Sequence, residues 1–289
     1  YKCVLQRYTD KGEKDKVSLI KQEMLKRGFK LKDIKFGDDN RQFNIDRANN
    51  CIVQTMASIK DMPKSAPEAL YELGKSDIKN RAALYQALMD DPRINKKAIE
   101  ILFHLGYFNK FAQPNRLIAE YEIYQKYISA KVLTKSSFDD IMIDVIRPCC
   151  GKETEKQFRE IDNRALITAL IKQANIKPTT IVDRIKWQLE YLGYCTVNDP
   201  NSDPNDWLVL DVKTTGYGTV YVTAYNLCYG AERTYRANKK FWTNHQLSKG
   251  DVVRVVLQEK NKMKKDENGE WVKLSETYQE MKVWKKLEV

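Results

Sequence analysis

The hydrophobic period of this chain changes once, across the run Asn198-Asp199-Pro200-Asn201-Ser202-Asp203-Pro204-Asn205-Asp206, and no single type of layer suits both sides of that change. Upstream, apolar residues recur at helical spacing. Lys14 to Arg27 carries Val17, Ile20, Met24 and Leu25 on one face, and Gly28, which tolerates positive φ, stops the helix. Gly28–Leu31 then reads as a short strand. Phe43-Asn44-Ile45 and Cys51-Ile52-Val53-Gln54 flank Arg47–Asn50 as a small hairpin. From Ser65 the pattern is helical for more than a hundred residues, over Ala82–Met89, Lys96–Leu105, Leu117–Tyr127, Glu153–Ala174 and Thr179–Leu192. Asp91-Pro92, Gly106, Gln113-Pro114 and Asn175–Pro178 break it.

Downstream the period is two. Trp207–Lys213, Thr219–Asn226, Ala231–Ala237, Asp251–Lys260 and Tyr278–Leu287 alternate as strands. Gly216 with Gly218, Gly230 and Asn268-Gly269 supply the turns. A longer insert, Lys239–Gly250, separates the third strand from the fourth. Five strands with an insert at that place follow the plan of an OB-fold barrel, although the same strands would also build another small barrel or sandwich. The expected class is α+β: a mainly helical N-terminal two-thirds with helix-hairpin-helix elements, then a five-stranded C-terminal OB barrel.

The 50 Lys and Arg against 39 Asp and Glu leave a net charge of +11, which favours polyanionic partners, nucleic acid foremost. No apolar run reaches the roughly 18–20 residues of a membrane helix, so no membrane partner is expected and the cytoplasm is the expected compartment. The six cysteines form no CxxC pair, which fits reduced thiols there. The chain starts at Tyr1 without Met and is read as a piece of a longer polypeptide.

Motifs for chemistry are absent. There is no GxxxxGK[ST] and no GxGxxG, and His104 and His245 lie in different regions. The pairs Asp38-Asp39, Asp90-Asp91 and Asp139-Asp140 read as caps and turns rather than as a two-metal site. Binding features are stronger. In the strand region Tyr221, Tyr225, Tyr235 and Trp242 are interleaved with Arg233, Arg236, Lys239 and Lys240, a mixture suited to stacking on unpaired bases while cations follow the phosphates. Alternation turns about half of those rings inward. Lys260, Lys262, Lys264 and Lys265 crowd a hairpin tip within reach of phosphates. Met56–Leu70 has a helix-hairpin-helix cadence, but Asp61 and Pro63 stand where glycines would serve, and Pro63 donates no N–H.

In order along the chain, these segments resemble the C-terminal portion of the bacterial or phage family C DNA polymerase III alpha subunit. Tyr1–Leu5 and Asp15–Phe29 are similar to the end of that family's fingers domain. Phe43-Asn44-Ile45 and Ile59–Pro63 are similar to its strand and its Ile-Lys-Gly-Val-Gly hairpin. Asn95–Leu102, Leu105–Phe108 and Asn115-Arg116-Leu117 resemble its second hairpin. Glu190 to Tyr194 resembles the helix end before its OB domain. The resemblance implies residues 1–55 as the end of the fingers, 56–197 as a duplex-binding helical domain, 198–206 as a linker and 207–289 as the OB domain. It implies DNA-directed DNA synthesis by a parent protein whose catalytic aspartates and Mg2+ lie in a palm domain outside this chain, which itself carries no catalytic residue or cofactor. Lys60, Lys64, Lys96, Lys97 and Arg116 would hold primer–template duplex. Tyr221, Arg233, Tyr235, Arg236 and Lys240 would guide single-stranded template, with Lys262 and Lys264 on its phosphates. The sliding clamp and other replisome proteins are implied partners, although the family's Gln-apolar-aromatic clamp peptide has no match here. The alternative is a free-standing helical and OB module that recruits proteins or single-stranded nucleic acid without catalysis.

Overall fold

In the computed structural model, which describes residues 1–288, the chain is α+β and divides into two compact units. The first is Tyr1–Thr179 with Trp187–Tyr194, and the second is Thr180–Lys186 with everything from Cys195 onward. Residue 55, expected as a domain boundary, lies inside the first unit.

The first unit opens with α1 (Lys2–Asp10) and α2 (Lys14–Lys26). Gly28 takes φ +81° and ends α2. β1 (Lys30–Lys32) runs parallel to β3 (Cys51–Val53), which pairs antiparallel with β2 (Asn44–Asp46) through the turn that the sequence places at Arg47–Asn50. Leu5, Val17, Met24 and Phe43 form a small core under these elements. Lys21 is buried beside them. Its ammonium donates to Gln54 Oε1 (3.0 Å) and Ser58 Oγ (2.8 Å) and lies 5.2 Å from the Phe43 ring centre and 5.3 Å from that of Tyr194.

A 3-10 turn at Met56–Ser58 leads to α3 (Ala66–Lys75), α4 (Arg81–Asp90), α5 (Lys96–His104) and α6 (Pro114–Tyr127). The breaks fall where Pro92, Gly106 and Pro114 put them, with Gly106 at φ +71°. Asn80 and Asn95 cap α4 and α5 by accepting N–H bonds from Ala83 and Ala98. Between α6 and Ile161 the helical reading fails. β4 (Val132–Thr134) is followed by α7 (Asp140–Ile146), β5 (Cys150–Glu153) and β6 (Gln157–Ile161), and the three strands form a sheet in the order β4-β6-β5. The expected helix from Glu153 is therefore a hairpin strand followed by α8 (Asn163–Gln173), capped by the Asp162 carboxylate. These strands are three to five residues long and bury only Leu133 and Phe158, too few positions to show a period of two. Helix α9 (Ile181–Leu192) ends the helical region and is shared between the units.

The second unit is built on β7 (Asp206–Thr214), β8 (Val220–Asn226), β9 (Glu232–Ala237), the short helix α10 (Lys239–Asn244), β10 (Val252–Lys265) and β11 (Trp271–Leu287). All five expected strands are present, in the order β7-β8-β9-β11-β10, and β10 pairs back onto β7 so that the sheet closes. Inward positions carry Trp207, Val209, Val222, Tyr235, Val253, Val255, Met281 and Trp284 as a separate core. The Asn198–Asp206 run is bonded into this unit. The Asp199 N–H meets the Leu227 carbonyl (2.8 Å), and Asn226 Nδ2 donates to Pro204 O (2.7 Å). Arg254 closes on Asp206 through two bonds of 2.7 and 3.0 Å.

Candidate nucleic-acid interface

Strands β8 and β9 alternate about the core. Val220, Val222 and Ala224 point in, so Tyr221 and Thr223 point out; on β9, Tyr235 and Ala237 point in, so Thr234 and Arg236 point out. The register sets Tyr221 opposite Arg236 and Thr223 opposite Thr234, whose hydroxyls bond at 2.9 Å. The other neighbour of β9 is β11, and their parallel ladder spans only Arg236–Glu280 and Ala237–Met281. Beyond it, β10 and β11 continue as a two-stranded arm that pairs as far as Lys265 with Trp271. Its tip is the turn Asp266–Glu270, where the Asp266 carboxylate accepts the N–H groups of Asn268 and Glu270, both at 2.9 Å, and Gly269 takes φ +85°.

Between β9 and this arm opens a groove of about 1040 Å³. One wall is Tyr221 of β8 with Arg233, Thr234, Tyr235 and Arg236 of β9. The other is Asn261, Lys262 and Met263 of β10 with Trp271, Tyr278 and Gln279 of β11. Three cations and no carboxylate stand among these residues, a lining that favours an anionic ligand. Trp271 is 62% exposed and Tyr221 41%, so both are accessible to a ligand. Arg236 lies 5.4 Å from the Tyr278 ring centre, and Lys265 lies 5.6 Å from that of Trp271. Lys262 is paired with Glu276 at 2.7 Å, both well exposed, a contact that a stronger anion can displace at little cost.

The base of the arm is held by the buried carboxylate of Glu280, which accepts from Asn238 Nδ2 (2.9 Å) and pairs with Lys260. Burial works to raise the pKa of Glu280, but the bonds from Asn238 and Lys260 outweigh it and hold the carboxyl below its usual range.

Of the residues singled out in the sequence for single-strand contact, Tyr221, Arg233, Arg236 and Lys262 come together in this groove. Tyr235 does not offer its ring to a ligand. It stands opposite the buried Val222, is 2% exposed, and packs edge-on against Trp207 at 5.2 Å. Lys240 is exposed on α10, outside the groove lining, and Lys264 is exposed on the arm opposite Val272. Trp271 and Met263 were not singled out in the sequence, and Tyr278 was read only as the start of a strand.

The residues expected on duplex lie in the first unit. Lys60 and Lys97 both approach Tyr191: the Lys60 N–H donates to the Tyr191 carbonyl (3.0 Å), and the Lys97 ammonium lies 5.4 Å from its ring centre. Lys60, Lys64, Lys96 and Lys97 are exposed. Arg116 is committed elsewhere, its Nε bonded at 2.7 Å to Glu120, a buried carboxylate that also takes Arg81 Nε (2.6 Å) and the Tyr85 hydroxyl (3.0 Å). The turn at Ile59–Pro63 follows a single 3-10 turn, and Asp61 takes φ +59°, the conformation for which glycine is favoured. Its N–H groups are largely spent: that of Met62 donates to Ile59 O (3.4 Å), that of Lys60 to Tyr191, and Pro63 has none. The carbonyls of Ile59 and Met62 accept from Lys14 Nζ, at 2.7 and 3.4 Å. What remains for a phosphate here is the side chains of Lys60 and Lys64.

The paired aspartates serve structure. Asp39 and Asp91 hold Arg41 and Arg93 at 2.8 and 2.7 Å, and Asp139 caps α7 through Met142 N at 2.7 Å. Among the described residues, no helix is long and apolar enough to cross a membrane, and no three His, Cys, Asp or Glu side chains converge as a metal-holding group. Set against protein-family models and against curated protein sequences, the chain matches none.

Proposed function

We propose that this chain is a DNA-handling part of a replicative polymerase of family C, its second unit guiding single-stranded template and its first gripping primer–template duplex. The observation that carries the reading is the groove between β9 and the β10–β11 arm, where exposed Tyr221 and Trp271 stand among Arg233, Arg236 and Lys262 with no carboxylate in the lining. Flat rings stack on any base and the cations follow the phosphates, which is what sequence-tolerant single-strand binding needs. The strand order supports an OB barrel. Numbering the five strands one to five along the chain, they are arranged 1-2-3-5-4, strands three and five are parallel, and a short helix sits between three and four. The polymerase parent rests on the order of resembling segments along the chain. The duplex grip rests on Lys60, Lys64, Lys96 and Lys97.

Fluorescence anisotropy with labelled single-stranded, primed and blunt duplex DNA tests this, repeated across salt. Single-stranded and primed DNA are expected to bind at low salt, and affinity should fall steeply as salt rises. Negligible affinity, or affinity indifferent to salt, overturns the nucleic-acid reading. The duplex grip has its own test: Lys60→Ala with Lys64→Ala should weaken primed DNA severalfold and leave single-stranded DNA unchanged. The coding sequence upstream of Tyr1 tests the parentage, since a palm domain with acidic motifs is expected there.

A further inference from the structure

The arm carries a second exposed aromatic side chain at a definite distance from the first. The wall on the closed sheet offers Tyr221 and Arg236. Seven residues farther along β11 from Tyr278 stands Trp271, more exposed than any other residue of the groove for which exposure marks a large apolar side chain. Trp271 pairs with Lys265 and Met263 with Lys273, so alternation puts these four on one face of the arm. Both Trp271 and Met263 line the groove. That face is therefore apolar and cationic together, Trp271 being 62% exposed. Apolar and cationic groups on one exposed face suit a ligand that has both flat rings and phosphates.

We propose that the arm is part of the binding path: a single strand runs from Tyr221 and Arg236 on the sheet along the Met263 face of the arm, its far base stacked on Trp271. This rests on the nucleic-acid reading of the groove and adds its extent and its far contact. β11 bulges between Thr277 and Lys273, so the span is read on β10, where the five steps from Lys260, opposite Tyr278, to Lys265, opposite Trp271, cover roughly 17 Å at about 3.3 Å per residue. A nucleotide has about twice as many backbone bonds as a residue, so a stretched strand advances roughly 6–7 Å per nucleotide. Two to three such steps join about three to four nucleotides, at the lower end of the range for such barrels. Lys265, within cation–π distance of the indole, and Lys273 flank the far base and meet its phosphates.

The test is a length series of fluorescein-labelled oligothymidylates, from about 2 to about 12 nucleotides, titrated with the whole chain at low salt. Wild-type affinity should climb until about four nucleotides and then level off. Trp271→Ala should weaken oligomers of that length or longer by about tenfold and leave the dinucleotide unchanged, and Trp271→Phe should restore most of the loss. Trp271 is largely exposed, so neither variant threatens folding; circular dichroism checks this. If wild type binds oligomers but Trp271→Ala matches it at every length, the arm is not on the path, and the groove reading survives without it. If wild type binds none of them, both ideas fall together.

Discussion

The guanidinium of Arg236 sits 5.4 Å from the centre of the Tyr278 ring and 3.4 Å from its hydroxyl, joining β9 to β11 just where their ladder ends. Arg236 is also the cross-strand partner of Tyr221. One exposed cation thus stands between two aromatic residues at the head of the groove.

Arg236→Ala should weaken single-stranded DNA about fivefold to tenfold and lower the slope of log affinity against log salt by roughly 0.7, the share of one lost phosphate contact on a single strand. Anisotropy titrations at several salt concentrations measure both. Lys240→Ala, on α10 outside the groove, should change neither.

Lys21 makes stability depend on alkaline pH. Burial pushes its ammonium down to about 7 from a usual value above 10, against a weaker opposing pull from Asp33. Between those values the unfolded chain holds a proton that the folded chain does not, so stability should rise with pH by up to about 1.4 kcal/mol per unit, and level off below pH 7. Urea melts at pH 7 to 9.5 should show the rise in wild type and lose much of it in Lys21→Met. Equal slopes would place its source elsewhere.

Glu120 is the single carboxylate under Arg81 and Arg116. Burial works to raise its pKa, but hydrogen bonds from Arg116 and Arg81 prevail and hold it below the usual range. Its contribution is therefore full at neutral pH and is lost as pH falls through that depressed value. Glu120→Ala leaves the buried Tyr85 hydroxyl without its acceptor and should cost about 2–3 kcal/mol in urea melts at pH 7. The deficit should shrink toward pH 3.

Asp61, at φ +59°, should tolerate glycine. Asp61→Gly is expected to match or exceed wild-type stability, whereas Asp61→Ala should lose about 1 kcal/mol, because alanine lacks the short polar side chain that eases the left-handed conformation. Thermal melts of the two variants distinguish them.

Much of the second unit was legible in the sequence because its strands are half buried. The alternation of Val220, Val222 and Ala224 fixes which way Tyr221 points, and the same reasoning applied to Ala237 would have turned Tyr235 inward. The tip of the arm was legible in Asn268-Gly269 and the lysines before it, but its length was not: from Asn261 to Lys273 both faces meet solvent, so no hydrophobic period marks the strands. The groove itself depends on β9 lying beside β11 for only two residue pairs, a matter of strand order and splay that no local pattern encodes. In the first unit, breakers such as Pro92, Gly106 and Pro114 gave the helix ends, while the sheet of β4, β5 and β6 was too short to announce itself. Arg116 reads as a phosphate ligand until Glu120, one helical turn on, is seen to be buried beneath it.

The central claim is that single-stranded nucleic acid lies in the groove between β9 and the arm. Ultraviolet cross-linking of oligothymidylate to the whole chain, followed by peptide mass spectrometry, tests it most directly. Cross-links should fall on Tyr221, Trp271 and Tyr278, and should fade with salt. Cross-links confined to residues outside the groove, with none on these three, would contradict it.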